Sequence, residues 1–145
     1  MTVNSQERSP NNTVFQEEKA DGIRNIVVKG TLQRPTTEKL VALFEQSLRD
    51  ATQPFILVHI DLSDPSIQYT PYSRQRGQEA FEKIPDDKML FLAVSVGGER
   101  MVNVARMIIR QDENRYDNMC QNVFTNRADA VQWLCACARK YQAEQ

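Results

Sequence analysis

Two short segments near the start of the chain, Thr13 to Glu18 and Ile23 to Leu32, have the residue pattern of β-strands. In the second segment, Ile26, Val28 and Leu32 share one face, while Asn25, Val27 and Lys29 take the other. Lys19-Ala20-Asp21-Gly22 lies between them, and Asp-Gly supplies the positive φ that a tight hairpin turn requires. The pattern predicts an antiparallel hairpin as the opening unit.

The spacing changes to that of a helix between Pro35 and Ala51, where apolar residues recur at intervals of three and four. Thr36 or Thr37 can cap its start. The run from Phe55 to Asp61 is apolar almost throughout, which is typical of a strand buried on both faces of a parallel sheet. A second such run, Met89 to Val96, is predicted to lie beside it.

Thr70 followed by Pro71 is a helix-start signal, because Thr caps the first turn and proline lacks an N–H that would have been unpaired there. This helix is predicted to run to Phe81 or Lys83. Small residues on its inward face predict close packing against the sheet, whereas its charged residues are expected in water. The inward set is Ser73, Gly77, Ala80, Phe81 and Ile84, and the exposed set is Arg74, Gln75, Gln78, Glu79 and Glu82.

Three further elements complete the chain. They are a helix from Arg100 to Arg110 that continues toward Arg115, a strand from Met119 to Phe124, and a helix from Arg127 to Tyr141. The first helix is predicted to bury Met101, Val104, Ala105 and Ile108, with a further apolar edge at Val102 and Ile109. The last helix is predicted to bury Ala130, Trp133, Leu134, Cys137 and Ala138. The order β-β-α-β-α-β-α-β-α predicts an α/β fold, with a mixed, mostly parallel sheet, an antiparallel edge strand and four helices.

Composition narrows the class of protein. A chain of 145 residues with 41% hydrophobic and 26% charged residues fits one domain, at residues 13–141, after a mobile polar tail at residues 1–12. The net charge of −1 gives no global attraction to nucleic acid. The longest apolar runs are far shorter than the roughly 20 residues of a membrane span, and the N-terminus lacks a signal core. We therefore expect a cytoplasmic protein.

Residues that carry catalytic or metal chemistry are few and scattered. Cys120, Cys135 and Cys137 are odd in number, and CxC on a helix suits neither a disulfide nor a redox pair, so we expect buried thiols. His59, the single histidine, lies within a strand, so no metal and no cofactor are predicted. The sequence shows no Ser-His-Asp order, no paired carboxylates on one face and no activated cysteine. We expect that the protein is not an enzyme.

Three stretches resemble one known family. VHIDLSDPS ends the central strand, YTPYSRQRG begins the next helix, and VFTNRADAVQWL joins the last strand to the last helix. Together with the element order they resemble the STAS domains of the anti-anti-sigma (SpoIIAA-like) group, and especially the bacterial proteins described as STAS/SEC14-like. The resemblance covers Val14 to about Tyr141. It implies a STAS-like fold and a non-enzymatic regulatory role in signalling.

The resemblance also implies a candidate phosphorylation site. In phosphoswitching STAS proteins, a kinase that doubles as an anti-sigma factor modifies a Ser or Thr at the start of this helix, commonly within Asp-Ser-x-Gly. That position is Thr70 here, with Ser73 as a second candidate, and Tyr69 and Tyr72 replace the Asp and the Gly. A phosphate there would meet free N–H groups and a positive helix dipole, with Arg74 one turn away. Alternatively, Thr70 is only an N-cap.

Two functions of different classes stay open. The first is a protein-interaction module that docks a regulator through the loop and helix from Ser63 to Arg76. The alternative is a SEC14-like carrier that holds a lipid or an anion at the sheet edge near Asp61, Tyr69, Tyr72 and Gly97. A homodimer is a further alternative. The residues predicted to form the binding edge are Asp61, Ser63, Ser66, Tyr69, Thr70, Tyr72, Ser73, Arg74, Gly97 and Gly98.

Overall fold

The continuous apolar runs become the two central strands of a five-stranded sheet. The description covers residues 13–17 and 22–144 of a computed structural model. The elements follow the predicted order: β1 (Thr13–Gln16), β2 (Ile23–Lys29), α1 (Arg34–Arg49), β3 (Phe55–Leu62), α2 (Pro71–Phe81), β4 (Met89–Val96), α3 (Glu99–Glu113), β5 (Met119–Phe124) and α4 (Arg127–Ala143).

Strand order in the sheet is the same as chain order, and only β1 is antiparallel to its neighbour. β3 and β4 pair from Phe55 opposite Met89 to Leu62 opposite Val96. The predicted mixed, mostly parallel sheet with an antiparallel edge strand is therefore confirmed. Of the predicted hairpin turn, Gly22 has a φ of +76°, whereas residues 19–21 lie outside the described residues, as does the predicted tail.

Alternate residues of the strands point into two separate cores. One face of the sheet carries the larger core, where Ile26, Val58 and Leu92 meet the helices α1, α2 and α3. The opposite face carries the smaller core, where Leu57 and Phe91 meet α4. Right-handed crossovers that step across the sheet in one direction place their helices on the same face, which here carries α1, α2 and α3. α4 follows the last strand and forms no crossover, so it is free to cover the opposite face.

The buried face of α3 differs from the prediction. Its buried residues are Val102, Ala105, Ile109 and Asp112, whereas Val104 is 39% exposed. The helix has two apolar stripes that share Ala105. The sequence favours the stripe with Met101, Val104 and Ile108, whereas the structure buries the stripe with Val102 and Ile109. The observed rotation also buries Asp112, whose carboxylate pairs with Arg74 of α2, and a carboxylate inside the core needs such a cation.

The inward face of α2 also differs from the prediction. Ala80 and Ile84 are buried as expected, but the helix does not pack closely on the sheet at Gly77. A Cβ built there would meet no group outside the helix within 4 Å. The expectation that Arg74 lies in water is wrong as well, because its side chain is only 25% exposed and pairs with Asp112.

The last helix buries fewer residues than predicted. Ala130 and Leu134 are buried, whereas Trp133, Cys137 and Ala138 are only partly covered. The indole of Trp133 lies against the rings of Phe91 and Phe124. All three cysteines are free and half-buried rather than buried, and the partial burial raises the pKa of Cys137 to about 11. Burial likewise raises the pKa of Cys120.

A chain of polar side chains crosses the smaller core. His59 is 0% exposed, and its Nδ1 lies 2.8 Å from Asn25 Oδ1 while its Nε2 lies 2.7 Å from Ser95 Oγ. Burial lowers the pKa of His59 to about 4. The imidazole is therefore neutral at physiological pH and acts as a structural link between β2, β3 and β4.

Candidate functional site

The loops that follow β2, β3 and β4 meet at one end of the sheet, which we call the carboxyl edge. The N–H of Gly30 donates to Asp64 Oδ2 over 2.7 Å. This bond and a second one from the N–H of Ser66 lower the pKa of the Asp64 carboxyl. Gly97 lies so close to the β3 loop that a Cβ on it would be 2.9 Å from the carbonyl oxygen of Ser63. Only glycine fits at this position, and the three loops hold one another in place.

Asp61 takes part in this edge as a turn former. Its Oδ1 accepts hydrogen bonds from the N–H of Ser63 at 2.9 Å and from its Oγ at 2.6 Å. Its Oδ2 lies 3.7 Å from Arg127 Nη2 at the start of α4. Asp61 therefore points to the α4 side of the sheet, away from the side that carries α2.

Thr70 is the N-cap of α2 in a reciprocal capping box. Thr70 Oγ1 accepts from the N–H of Ser73 at 3.0 Å, and Ser73 Oγ accepts from the N–H of Thr70 at 3.0 Å. The Thr70 hydroxyl also donates to the carbonyl of Leu32 over 3.1 Å, which ties α2 to the loop before α1. The hydroxyl thus donates and accepts at once in the unmodified protein.

A group that we call the charged cluster joins α1 to α2 on the surface beside this cap. Arg76 binds Glu38 through Nε at 2.7 Å and Nη2 at 3.1 Å, and the Tyr72 hydroxyl donates to the same carboxylate. Arg34 stacks with its guanidinium carbon 4.1 Å from the centre of the Tyr72 ring. The Arg76 hydrogen bond, followed by that of Tyr72, lowers the pKa of Glu38 to about 2.

The charged cluster was missed at the level of sequence, apart from Tyr72. Arg76 and Glu38 stand 38 positions apart in the chain, so no local spacing connects them. Their pairing depends on α1 and α2 lying side by side, which follows from the strand order.

Arg74 makes the ion pair that links α2 to α3. Its Nη1 lies 3.2 Å from Asp112 Oδ1 and donates to Oδ2 over 3.3 Å. Gln121 on β5 donates to the same Oδ2 over 3.2 Å. The Asp112 side chain is 1% exposed. The carboxylate of this pair is therefore buried while Arg74 is a quarter exposed, and the pair together with Gln121 links α2, α3 and β5.

A cavity of about 150 Å³, which we call the α2 cavity, lies between α2 and the sheet. Tyr69, Ser73 and Arg74 border it, and the rest of its wall is mostly apolar, including Leu40, Phe44, Ile60, Phe81, Leu92 and Ile109. Burial raises the pKa of Tyr69 to about 12. A larger and more polar groove, of about 490 Å³, lies at the opposite end of the sheet and contains none of the predicted site residues.

The residues predicted as one binding edge thus lie in several different surroundings. Ser63, Ser66 and Gly97 are exposed at the carboxyl edge, with Thr70 at its side. Gly98 is the half-buried N-cap of α3, with an extended φ of 170°. Tyr72 belongs to the charged cluster. Tyr69, Ser73 and Arg74 border the α2 cavity, and Asp61 faces α4.

Comparison with known proteins bears on the fold. No family model and no curated protein matches the sequence. An anti-sigma factor antagonist from Mycobacterium paratuberculosis superposes with a TM-score of 0.56 at 15% identity, over 84% of this chain and 92% of that chain. A DUF3478-family protein with a SpoIIAA-like fold from Shewanella loihica PV-4 superposes with a TM-score of 0.59 at 18% identity, over 85% and 93%.

The fold and the carboxyl edge define an α/β domain with three helices on one face of a mostly parallel sheet and one on the other. Within that class, the chain has the STAS-like, or SpoIIAA-like, fold. The fold that the resemblance implied is therefore confirmed. In the described part of the chain, no helix combines the length and apolarity needed to cross a membrane. Residues 13–17 and 22–144 also bring no three metal-ligating side chains together.

Proposed function

We propose that this chain is a regulatory protein-interaction module of the STAS type, whose partner docks on the carboxyl edge and the adjoining charged cluster. One observation carries the proposal: exposed Ser63 and Ser66 lead into the cap at Thr70, and the next turn presents Tyr72 and Arg76. These groups lie on loops and helices that contact one another in the folded protein. A solved structure with this fold is named as an anti-sigma factor antagonist, which supports a protein as the partner.

A kinase-like anti-sigma factor is the class of partner that would also modify this surface. A phosphoryl group on Thr70 Oγ1 removes the hydrogen that is donated to Leu32 and adds charge beside the first N–H groups of α2. Modification of Thr70 would therefore release the start of α2 from the loop before α1. Ser73 is the second candidate, and its modification would remove the hydrogen that its hydroxyl donates to the carbonyl of Thr70.

The docking surface is tested by capture of partners from an extract of the source organism. Gln68→Arg places a long cation in the exposed loop, at a residue that contacts the N–H of Leu32 through its backbone carbonyl. Gln132→Arg makes the same change at an exposed position of α4, on the other face, and is the matched control. We expect the wild type and Gln132→Arg to retain one partner that Gln68→Arg loses. Equal capture by all three proteins, or none by the wild type, contradicts the proposal.

A small-ligand carrier is a second candidate function, and the α2 cavity is the observation that favours it. The cavity is bordered by Tyr69, whereas Asp61, Tyr72 and Gly97 do not line it. A carrier would therefore hold its ligand between α2 and the sheet and not at the sheet edge. Native mass spectrometry of protein purified from its own cells tests this, because a carrier retains a small-molecule adduct and a switch shows the mass of one phosphate.

Neither candidate function includes a catalytic step, and the absence of enzyme activity stays a prediction, as does the cytoplasmic location. A homodimer also stays a prediction. Sedimentation at high concentration tests it, and a strictly monomeric protein would contradict it.

A further inference from the structure

The α2 cavity borders one position, Gly77, at which α2 has no side chain. Gly77 lies three residues before the buried Ala80 and itself lines the cavity, so a side chain at position 77 would point inward. A Cβ there would meet no group outside the helix within 4 Å. The space stays open even though alanine forms helices better than glycine does.

The charged groups at the border of the cavity neutralise each other. Arg74 and Asp112 pair at 3.2 Å, and the Asp112 side chain is 1% exposed. An anionic ligand inside the cavity would lie near this buried carboxylate, while the guanidinium that could balance it is already paired. The interior therefore favours an uncharged occupant over a fatty-acid carboxylate or a phosphate group.

The cavity is partly open to solvent, so its volume limits the portion of an occupant that it can enclose. The cavity measures about 150 Å³ and its wall is mostly apolar. In an engineered protein, an apolar cavity of about 150 Å³ stays dry and takes up benzene or xenon. A long acyl chain needs considerably more room than such a molecule.

We propose that the α2 cavity binds a compact, uncharged, apolar molecule of about the size of a substituted benzene. This inference rests on the second candidate function, the small-ligand carrier, and narrows its ligand, which the sequence left as a lipid or an anion. The docking function at the carboxyl edge does not depend on it.

Toluene is the probe, and decanoate is the comparison ligand that carries a long chain and a negative charge. Each is titrated into the ¹⁵N-labelled full-length chain, and amide shifts are followed by NMR. We expect saturable toluene shifts confined to residues around the cavity, such as Gly77, Leu92 and Ala105. Decanoate is expected to leave these amides unmoved.

Two variants that fill the cavity from different helices test its location. Gly77→Leu enters from α2 and Ala105→Leu from α3, so a folding failure of one leaves the other. Each should weaken toluene binding by about ten-fold or more, whereas Gly77→Ala keeps most of the space. Ala136→Leu, at an exposed position of α4, is the control for added apolar surface and should bind as the wild type does.

The outcomes separate this inference from the function on which it rests. Decanoate binding at these amides without toluene binding overturns the inference and leaves the carrier function standing. Binding of neither ligand overturns both. Toluene shifts that persist unchanged in Gly77→Leu and in Ala105→Leu overturn the assignment to this cavity.

Discussion

Replacing Arg74 by methionine removes the cation that faces the buried carboxylate of Asp112 while keeping a side chain of similar length. The two groups lie 3.2 Å apart, and the exposed fractions of their side chains are 25% and 1%. Because Asp112 cannot reach water, the variant leaves a buried charge whose remaining described hydrogen bond comes from Gln121. The substitution therefore tests whether this pair is a structural link.

The expected loss is large for one residue. Removing one partner of a fully buried ion pair costs about 3–5 kcal/mol. Arg74 is a quarter exposed, so solvent screens part of the interaction, and Gln121 still donates to the carboxylate. We therefore expect the free energy of unfolding to fall by about 2–3 kcal/mol.

Urea unfolding at neutral pH measures this change through the transition midpoint. The double variant Arg74→Met/Asp112→Leu removes both charges and should recover most of the loss, since an apolar pair can replace a buried ion pair. Arg106→Met, at an exposed position of α3, is the control and should change stability by less than about 0.5 kcal/mol. A similarly small effect of Arg74→Met, or additive effects in the double variant, would refute the reasoning.

Three further predictions concern single positions. Thr70→Ala should lower the free energy of unfolding by about 1 kcal/mol because it removes the helix cap, whereas Thr70→Ser should cost less than about 0.5 kcal/mol; urea unfolding of both checks this, and equal stability of the two would contradict the capping role. Gly97→Ala should lower the free energy of unfolding by about 1–3 kcal/mol in the same assay, because its Cβ would lie 2.9 Å from a backbone oxygen. Gly98→Ala is the control and should cost less, because a Cβ there meets nothing within 4 Å. A larger loss for Gly98→Ala than for Gly97→Ala would contradict the close approach at Gly97. Because the pKa of His59 is lowered from 6.5 to about 4, unfolding takes up a proton below pH 6.5, and stability should fall by roughly 3 kcal/mol in all as pH drops from 6.5 to 4. His59→Gln should lose that part of the pH dependence. Parallel curves of stability against pH for the wild type and the variant would exclude this role of His59.

Local patterns predicted most of the elements and several details of the site. The unbroken apolar runs at Phe55–Leu62 and Met89–Val96 mark strands covered on both faces, and this property depends on composition alone. The Thr70-Pro71 pair predicted the start of α2 because capping involves only neighbours within one turn. The glycine at position 97 also stood out, although its reason, the nearby Ser63 carbonyl, becomes visible only once β3 and β4 are paired.

Contacts between distant elements could not be derived in this way. Arg74 was expected in water, because its cation has no local partner and finds Asp112 38 positions away. The burial of Asp112 accompanies the rotation of α3 that brings Val102 and Ile109 to the core. The charged cluster around Glu38 is likewise a product of two adjacent helices that are separated in the chain.

The amino-acid sequence alone therefore determined where strands and helices lie, the order of these elements along the chain, and where α2 begins. Each of these depends on spacing or capping within a few residues. Tertiary packing determined which way each helix is rotated, which side of the sheet Asp61 faces, and that Gly77 covers a cavity instead of a close contact. These features depend on which surfaces meet across the sheet. Small residues along α2 allow either a close contact or an open space, and the structure has the open space at Gly77.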